Sequence, residues 1–233
     1  EGQATNVEPA SYVPPAFTRT WFHTGAHLEG ERISRHFEDE YYREGDESEG
    51  VGGLSTEQLQ AMLLPDTELP TTLKLEGGSS IPWNLSSEEV REACRALKGS
   101  ILRQEVYAND GTAEADRPYT ASERNYTIEL RQSKGQNKNA VFFVHPREAI
   151  EFHYERKLFD IDEKRVADPR VTHAMTLEVD EFGNVLKSVA IGYGRRYDDT
   201  NELLTPEDRD KQKRVYATYN ENTFTNPIKE PDD

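Results

Sequence analysis

The chain holds one cysteine, Cys94, in 233 residues. A lone thiol excludes an internal disulfide framework and any zinc site built on cysteine pairs. A protein of this length can fold without such staples, so secretion stays open. No run of 18 apolar residues occurs, and no segment can span a bilayer as a helix. Basic residues are scarce: 28 Lys and Arg stand against 44 Asp and Glu, for a net charge of −16. That balance argues against nucleic acid, whose phosphates demand clustered cations, and against anionic membrane surfaces. Neither a G-x-S-x-G elbow, a phosphate loop nor a dinucleotide fingerprint is present. There is no initiator Met and no charged-then-apolar leader; a start at Glu1-Gly2-Gln3 suggests a fragment or a processed product. With 34% hydrophobic and 31% charged residues, the core must be modest and much of the chain loop or solvated face.

What is present reads as mainly β with one or two helices, an α+β chain built on an antiparallel, twisted sheet. Residues 1–16 are polar and end in Val13-Pro14-Pro15-Ala16, the pattern of an incoming linker. Phe17 to His27 suits a strand. Ile33, Phe37 and Tyr41 recur at helical spacing and predict a short helix within 28–42. Residues 44–82 read as an insertion of loop and short helix. Within it, Ser55-Thr56-Glu57-Gln58 has the form of a capping box, and Thr71 to Pro82 reads as loop. A better box is Ser86-Ser87-Glu88-Glu89. After it Val90, Ala93, Cys94, Leu97 and Ile101 fall on one apolar face, and Gly99 is placed to stop the helix, so a packed helix is expected near 87–98. Strands follow at 101–108, 125–132, 140–145, 148–155, 171–180, 185–195 and 214–219, several with strict alternation. His145-Pro146 should break one of them, because Pro lacks a ladder donor. The β-rich domain thus runs over 17–196, and 197–233 reads as an acidic, Pro-punctuated extension toward a following module.

Candidate chemistry is thin. His23 and His27 are four apart, as on a metal-binding helix, but Gly25 lies between them in a strand-like context, which favours structural histidines. Cys94 on an apolar helix face reads as a buried inert thiol. Paired carboxylates are too common among 44 acids to indicate a glycosidase. Gly192-Tyr193-Gly194-Arg195-Arg196 has no helix start after it and is no phosphate cradle. Asn84-Leu85-Ser86 and Asn125-Tyr126-Thr127 match a glycosylation sequon that arises often by chance. Trp21, Trp83 and Tyr193 could form a sugar platform or fill a strand-rich core. Asp180-Glu181-Phe182-Gly183-Asn184 is a hairpin turn between alternating strands. No catalytic, metal-binding or cofactor-binding residue is assigned.

Several strings together resemble one family. They include Thr20-Trp21-Phe22-His23-Thr24-Gly25-Ala26, Glu123-Arg124-Asn125-Tyr126-Thr127, Val141 to Glu148, His153-Tyr154-Glu155-Arg156, Leu177 to Arg196, Leu203 to Arg209 and Asn222 to Pro227. In this order they are similar to the middle-to-C-terminal region of the B component of bacterial Tc insecticidal toxins. The 180–184 turn also resembles one unit of the YD, or Rhs, repeat, without a clear second copy. The resemblance implies a sheet of the Rhs-shell type. It also implies a structural, non-enzymatic part of a shell formed with the C component, which is both shell partner and cargo. The A component would supply the channel, and the chain itself would not insert in a membrane. The complex would be secreted or carried on the cell surface. The alternative from the residues is a non-catalytic β domain of a secreted protein that binds a glycan or a partner. A shell segment should expose strand edges and apolar areas; a binding module should show a concave aromatic surface; an enzyme should show a carboxyl group with a strongly raised pKa in an apolar cleft.

Overall fold

The computed structural model describes residues 14–27, 32–44, 63–161, 164–199 and 201–225. Eleven strands and two α-helices lie within them: β1 (Ala16–Phe22), β2 (Thr72–Lys74), β3 (Ser80–Pro82), α1 (Ser87–Ala96), β4 (Ile101–Ala108), β5 (Thr120–Gln132), β6 (Val141–His153), β7 (Leu158–Ile161), β8 (Lys164–Ala167), β9 (Arg170–Val179), β10 (Val185–Tyr193), α2 (Pro206–Gln212) and β11 (Tyr216–Glu221). The main sheet has nine strands in the order β1-β4-β5-β6-β9-β10-β11, with β2 and β3 appended beside β5. All neighbours are antiparallel except one parallel contact, Leu73 with Leu130. The remaining pair, β7 and β8, forms its own hairpin.

The helix near 87–98 forms as expected. Ser86 Oγ accepts from the Glu89 N–H, and the Glu89 carboxylate reaches back to the Ser86 N–H at 2.8 Å. Ala93, Cys94 and Leu97 are buried, and Gly99 follows with φ +84°, the left-handed conformation that ends a helix. Ala93 and Leu97 pack on Tyr126 and Ile128 of β5, with Phe142 and Val144 of β6 beside them.

β5 is the spine of the fold, and its buried positions change parity. Ala121, Glu123 and Asn125 are buried, then Tyr126, Ile128 and Leu130. The switch coincides with a register shift: Asn125 faces Glu148, whereas Tyr126 faces Pro146, leaving Arg147 as an extra residue in β6. Such a bulge rotates the strand, so one strand serves two cores on opposite faces. One core is the α1 face. The other gathers Leu64, Ala121, Ile150, Phe152, Tyr154 and Ala167.

Five expectations need correction. Pro146 does not end a strand: 141–153 is one strand, and the Pro is tolerated at the bulge. Ile33, Phe37 and Tyr41 do not build an α-helix; the described part of that segment holds only a 3₁₀ turn, Glu38–Glu40. Its backbone groups are taken elsewhere, since Asp66 accepts from the Ile33 and Ser34 N–H groups at 2.6 and 2.7 Å and Glu105 accepts from Tyr42 N–H at 2.8 Å. Thr71 to Pro82 is a hairpin, β2–β3, rather than loop. The extension after 196 contains α2, begun by a Thr205–Asp208 capping box. The β7–β8 hairpin occupies a stretch to which no strand was assigned. The expected helix start at Ser55 and nearly all of the 1–16 linker lie outside the described residues.

Candidate interaction surface

Two ionic clamps, the first buried and the second built on buried carboxylates, hold the loop segments to the sheet. In the first, Arg103 donates to Glu105 at 2.6 Å and to Glu123 at 3.2 Å. Glu105 also accepts from the Tyr107 hydroxyl and the Tyr42 N–H, while Glu123 accepts from the Leu64 N–H. The two carboxylates therefore tie residues 42 and 64 to β4 and β5. Burial pushes the Glu123 carboxyl up, with Arg103 opposing. Burial also works against the Arg103 charge, but Glu105 and Glu123 outweigh it and raise its pKa. In the second clamp, Arg196 reaches Glu44 at 2.8 Å and Asp168 at 3.4 Å. Asp168 also accepts from the Arg196 and Tyr197 N–H groups. Burial raises the Glu44 pKa despite Arg196. These raised carboxyls are engaged by cations and backbone donors, so their arrangement is that of structural ties.

Beyond β6 the sheet loses its cover. Register partners share a face, which sets Glu148, Met175, Val189 and Tyr219 in one row. A second row is Ile150, His173, Ile191 and Ala217, and a third is Phe152, Val171 and Tyr193. Exposure grows along each row: Ile150 is 9% and Phe152 3% exposed, but Tyr193 reaches 42% and Tyr219 54%. Leu177, the unpaired residue of a register shift in β9, is 55% exposed. His173 bridges the covered and bare parts, with Nε2 3.0 Å from Glu148 Oε2 and Nδ1 3.2 Å from the Tyr193 hydroxyl. Every residue of β11 is exposed, and its outer edge pairs with no strand among the described residues.

At the opposite edge of the sheet, β1 borders a cleft of about 450 Å³. Phe17, Tyr41, Tyr42 and Tyr107 line it together with Arg19, Glu40 and Asp116.

Residues 92–232 match the family described as insecticide toxin TcdB middle/C-terminal region. The chain belongs to that family. No curated protein matches it. Among solved structures, the crystal structure of TcdB2-TccC3-TEV aligns with TM-score 0.64 and 26% identity over 97% of this chain and 10% of the other. The crystal structure of TcdB2-TccC3 aligns at 0.62 and 25%, over 91% and 9%. The Tc holotoxin pore of Photorhabdus luminescens, carrying the TccC3 mutation D651A, aligns at 0.56 and 25%, over 83% and 8%. This chain thus spans about a tenth of the length of the solved chains it matches.

Within this TcdB middle/C-terminal region, the sequence candidates do not converge. His23 is buried, and both its ring nitrogens are engaged, Nε2 with the Ile33 carbonyl at 2.7 Å and Nδ1 with the Gly25 N–H at 3.0 Å. His27 instead lies 3.8 Å from Cys94 Sγ. Among the described residues no group of three His, Cys, Asp or Glu is placed to hold a metal. Burial raises the Cys94 pKa, which keeps the thiol protonated and inert. Arg195 and Arg196 bind Asp168 in the turn before β9. Asn125 is buried and donates to the Pro65 carbonyl and Glu148, so its sequon is closed; Asn84 is exposed. Trp21 and Tyr193 lie near opposite edges of the main sheet, on β1 and β10, and share no platform.

The 180–184 turn is a tight hairpin. Asp180 accepts from the Phe182 and Asn184 N–H groups at 2.9 and 2.8 Å. Gly183 has φ +89°, and a Cβ there would meet Phe143 Cζ at 2.8 Å, so both conformation and space demand glycine. The Arg103 and Arg196 clamps were missed by sequence reasoning. Arg103 and Glu105 alternate on β4, and Glu123 lies just before the strand expected at 125–132, so no local pattern joins the three.

Proposed function

We propose that this chain is a structural segment of a Tc toxin B component, without turnover of its own. It helps build the β-shell that encloses the toxic enzyme of the C component and links it to the A-component channel. The complex is secreted or carried on the cell surface. The observation that carries the reading is the bare β9–β11 face with its open β11 edge, in a chain whose solved relatives are about ten times longer. A nine-stranded sheet covered at one end only is the form expected of a wall that continues into neighbouring strands. Those relatives are described as TcdB2 with TccC3 and as a Tc holotoxin pore, which supports the C and A components as partners here.

Cryo-electron microscopy of the full-length B component assembled with its C component tests this. The reading expects β9–β11 inside the wall of a chamber, with the 175–219 face covered by further chain. Finding these strands standing free in solvent, away from any chamber, would overturn it.

A further inference from the structure

The β1 edge carries a feature that wall-building through β11 leaves unused. Phe17, Arg19 and Trp21 alternate on one face of β1, in register with Tyr107, Glu105 and Arg103 of β4. Glu105 is already committed to Arg103, Tyr107 and the Tyr42 N–H. Arg19 is therefore left without a carboxylate partner among the described residues. Its guanidinium carbon lies 5.4 Å from the Phe17 ring centre and 5.5 Å from that of Tyr107. The aromatic pair thus holds a positive charge in the lining of the 450 Å³ cleft. Phe17 is 48% exposed although it is large and apolar. Alongside, β1 pairs only with β4 among the described residues, so half of its backbone N–H and C=O groups face outward.

We propose that the free edge of β1 and this cleft form a docking site for an extended segment of the toxin assembly outside residues 1–233. The segment adds as a strand along β1, places one carboxylate over Arg19 and seats an apolar side chain between Phe17, Tyr41 and Tyr107. Backbone pairing along the edge supplies affinity, and alternate side chains entering the cleft supply specificity. Aromatic rings and arginine are the residue types that anchor such interfaces. The carboxylate is argued from charge: Arg19 is the one cation among the residues that line the cleft, and it forms no ion pair among the described residues. Glu40 and Asp116 also line the cleft, and Glu40 already accepts from Trp21 Nε1 at 2.9 Å. These two acids limit the guest to a single carboxylate flanked by apolar residues. The identity of the occupant rests on the shell reading; the site itself rests on the geometry of β1.

The test is photo-crosslinking in the purified full-length B–C assembly, with a benzophenone amino acid in place of Phe17 and, as control, in place of the exposed Leu203. The expected result is one dominant crosslink from position 17 to a segment outside 1–233 that contains an Asp or Glu. Arg19→Gln should cut its yield at least five-fold, and Arg19→Lys by less, because charge is kept and only planar stacking is lost. Crosslinks confined to residues 1–233, a yield no higher than at position 203, or indifference to Arg19→Gln would overturn the proposal. Assembly is checked on the same sample by size exclusion. An intact complex with no crosslink refutes the β1 site and leaves the shell reading standing.

Discussion

At the scale of single residues, stability in this protein depends on charges removed from water. Arg103 is 3% exposed, and its two carboxylate partners are also buried. Removing the cation strands two buried carboxylates, which costs far more than the ion pair contributes. Arg103→Met should therefore destabilise the fold by roughly 3–5 kcal/mol, read as a lower urea midpoint. A loss below about 1 kcal/mol would show that the clamp is solvated, because exposed pairs contribute no more than that. Glu44 sets a pH dependence. Its pKa is raised above the ordinary 4.5 by burial, with Arg196 opposing. The folded state then holds the proton where the unfolded chain has released it. Stability from this group is fully present below 4.5 and falls as pH rises through the folded value. Glu44→Gln should flatten the fall in urea midpoint as pH rises above 4.5; an equally steep profile in the variant would assign the slope to other groups.

At the scale of elements, α1 shows how a short sequence sign becomes a structure. Its capping box satisfies N–H groups that the first helical turn leaves unpaired. Glu89 does more than cap, because its other oxygen accepts the Lys134 N–H at 2.9 Å and so ties the turn after β5 to the helix start. Ser86→Ala should cost about 1 kcal/mol, the usual value of a cap. Glu89→Ala should cost more, since it also frees the Lys134 turn. Hydrogen exchange at 133–139 separates the two: faster exchange is expected in the Glu89 variant alone. At the other end of the chain, Gly194 lies so close to the Lys213 carbonyl that a Cβ has no room. That contact, with the Arg195 N–H donating to the Gln212 carbonyl at 2.8 Å, seats the end of α2 against β10.

At the scale of the whole molecule, the sheet is covered on its β4–β6 side and bare over β9–β11. Open edges and exposed apolar faces recruit other strands. The isolated 233-residue chain should therefore self-associate in a concentration-dependent way. Tyr216→Lys with Tyr219→Lys, two charges on an all-exposed edge strand, should shift it toward monomer in light scattering. A wild-type chain that stays monomeric at high concentration would count against the bare face as a joining surface.

Much of this was written in local pattern. Strand-like composition placed β4 and β10 closely, alternation marked β9, the capping box marked α1, and Gly183 marked the hairpin, because each depends on neighbours a few residues away. The composition argued against nucleic acid for a different reason, because net charge is additive along a chain. What the tertiary structure alone decided involves residues far apart. The bulge at Arg147 lets β6 run through Pro146 and turns β5 from one core to the other. Asp66 and Glu105 capture the backbone of 33–42 and so override a helical period. The polar residues at 103, 105 and 123 are buried because cation and carboxylates meet only once β4 and β5 pair. Local periodicity reports which side chains share a side; which side is covered depends on contacts that close across twenty residues or more.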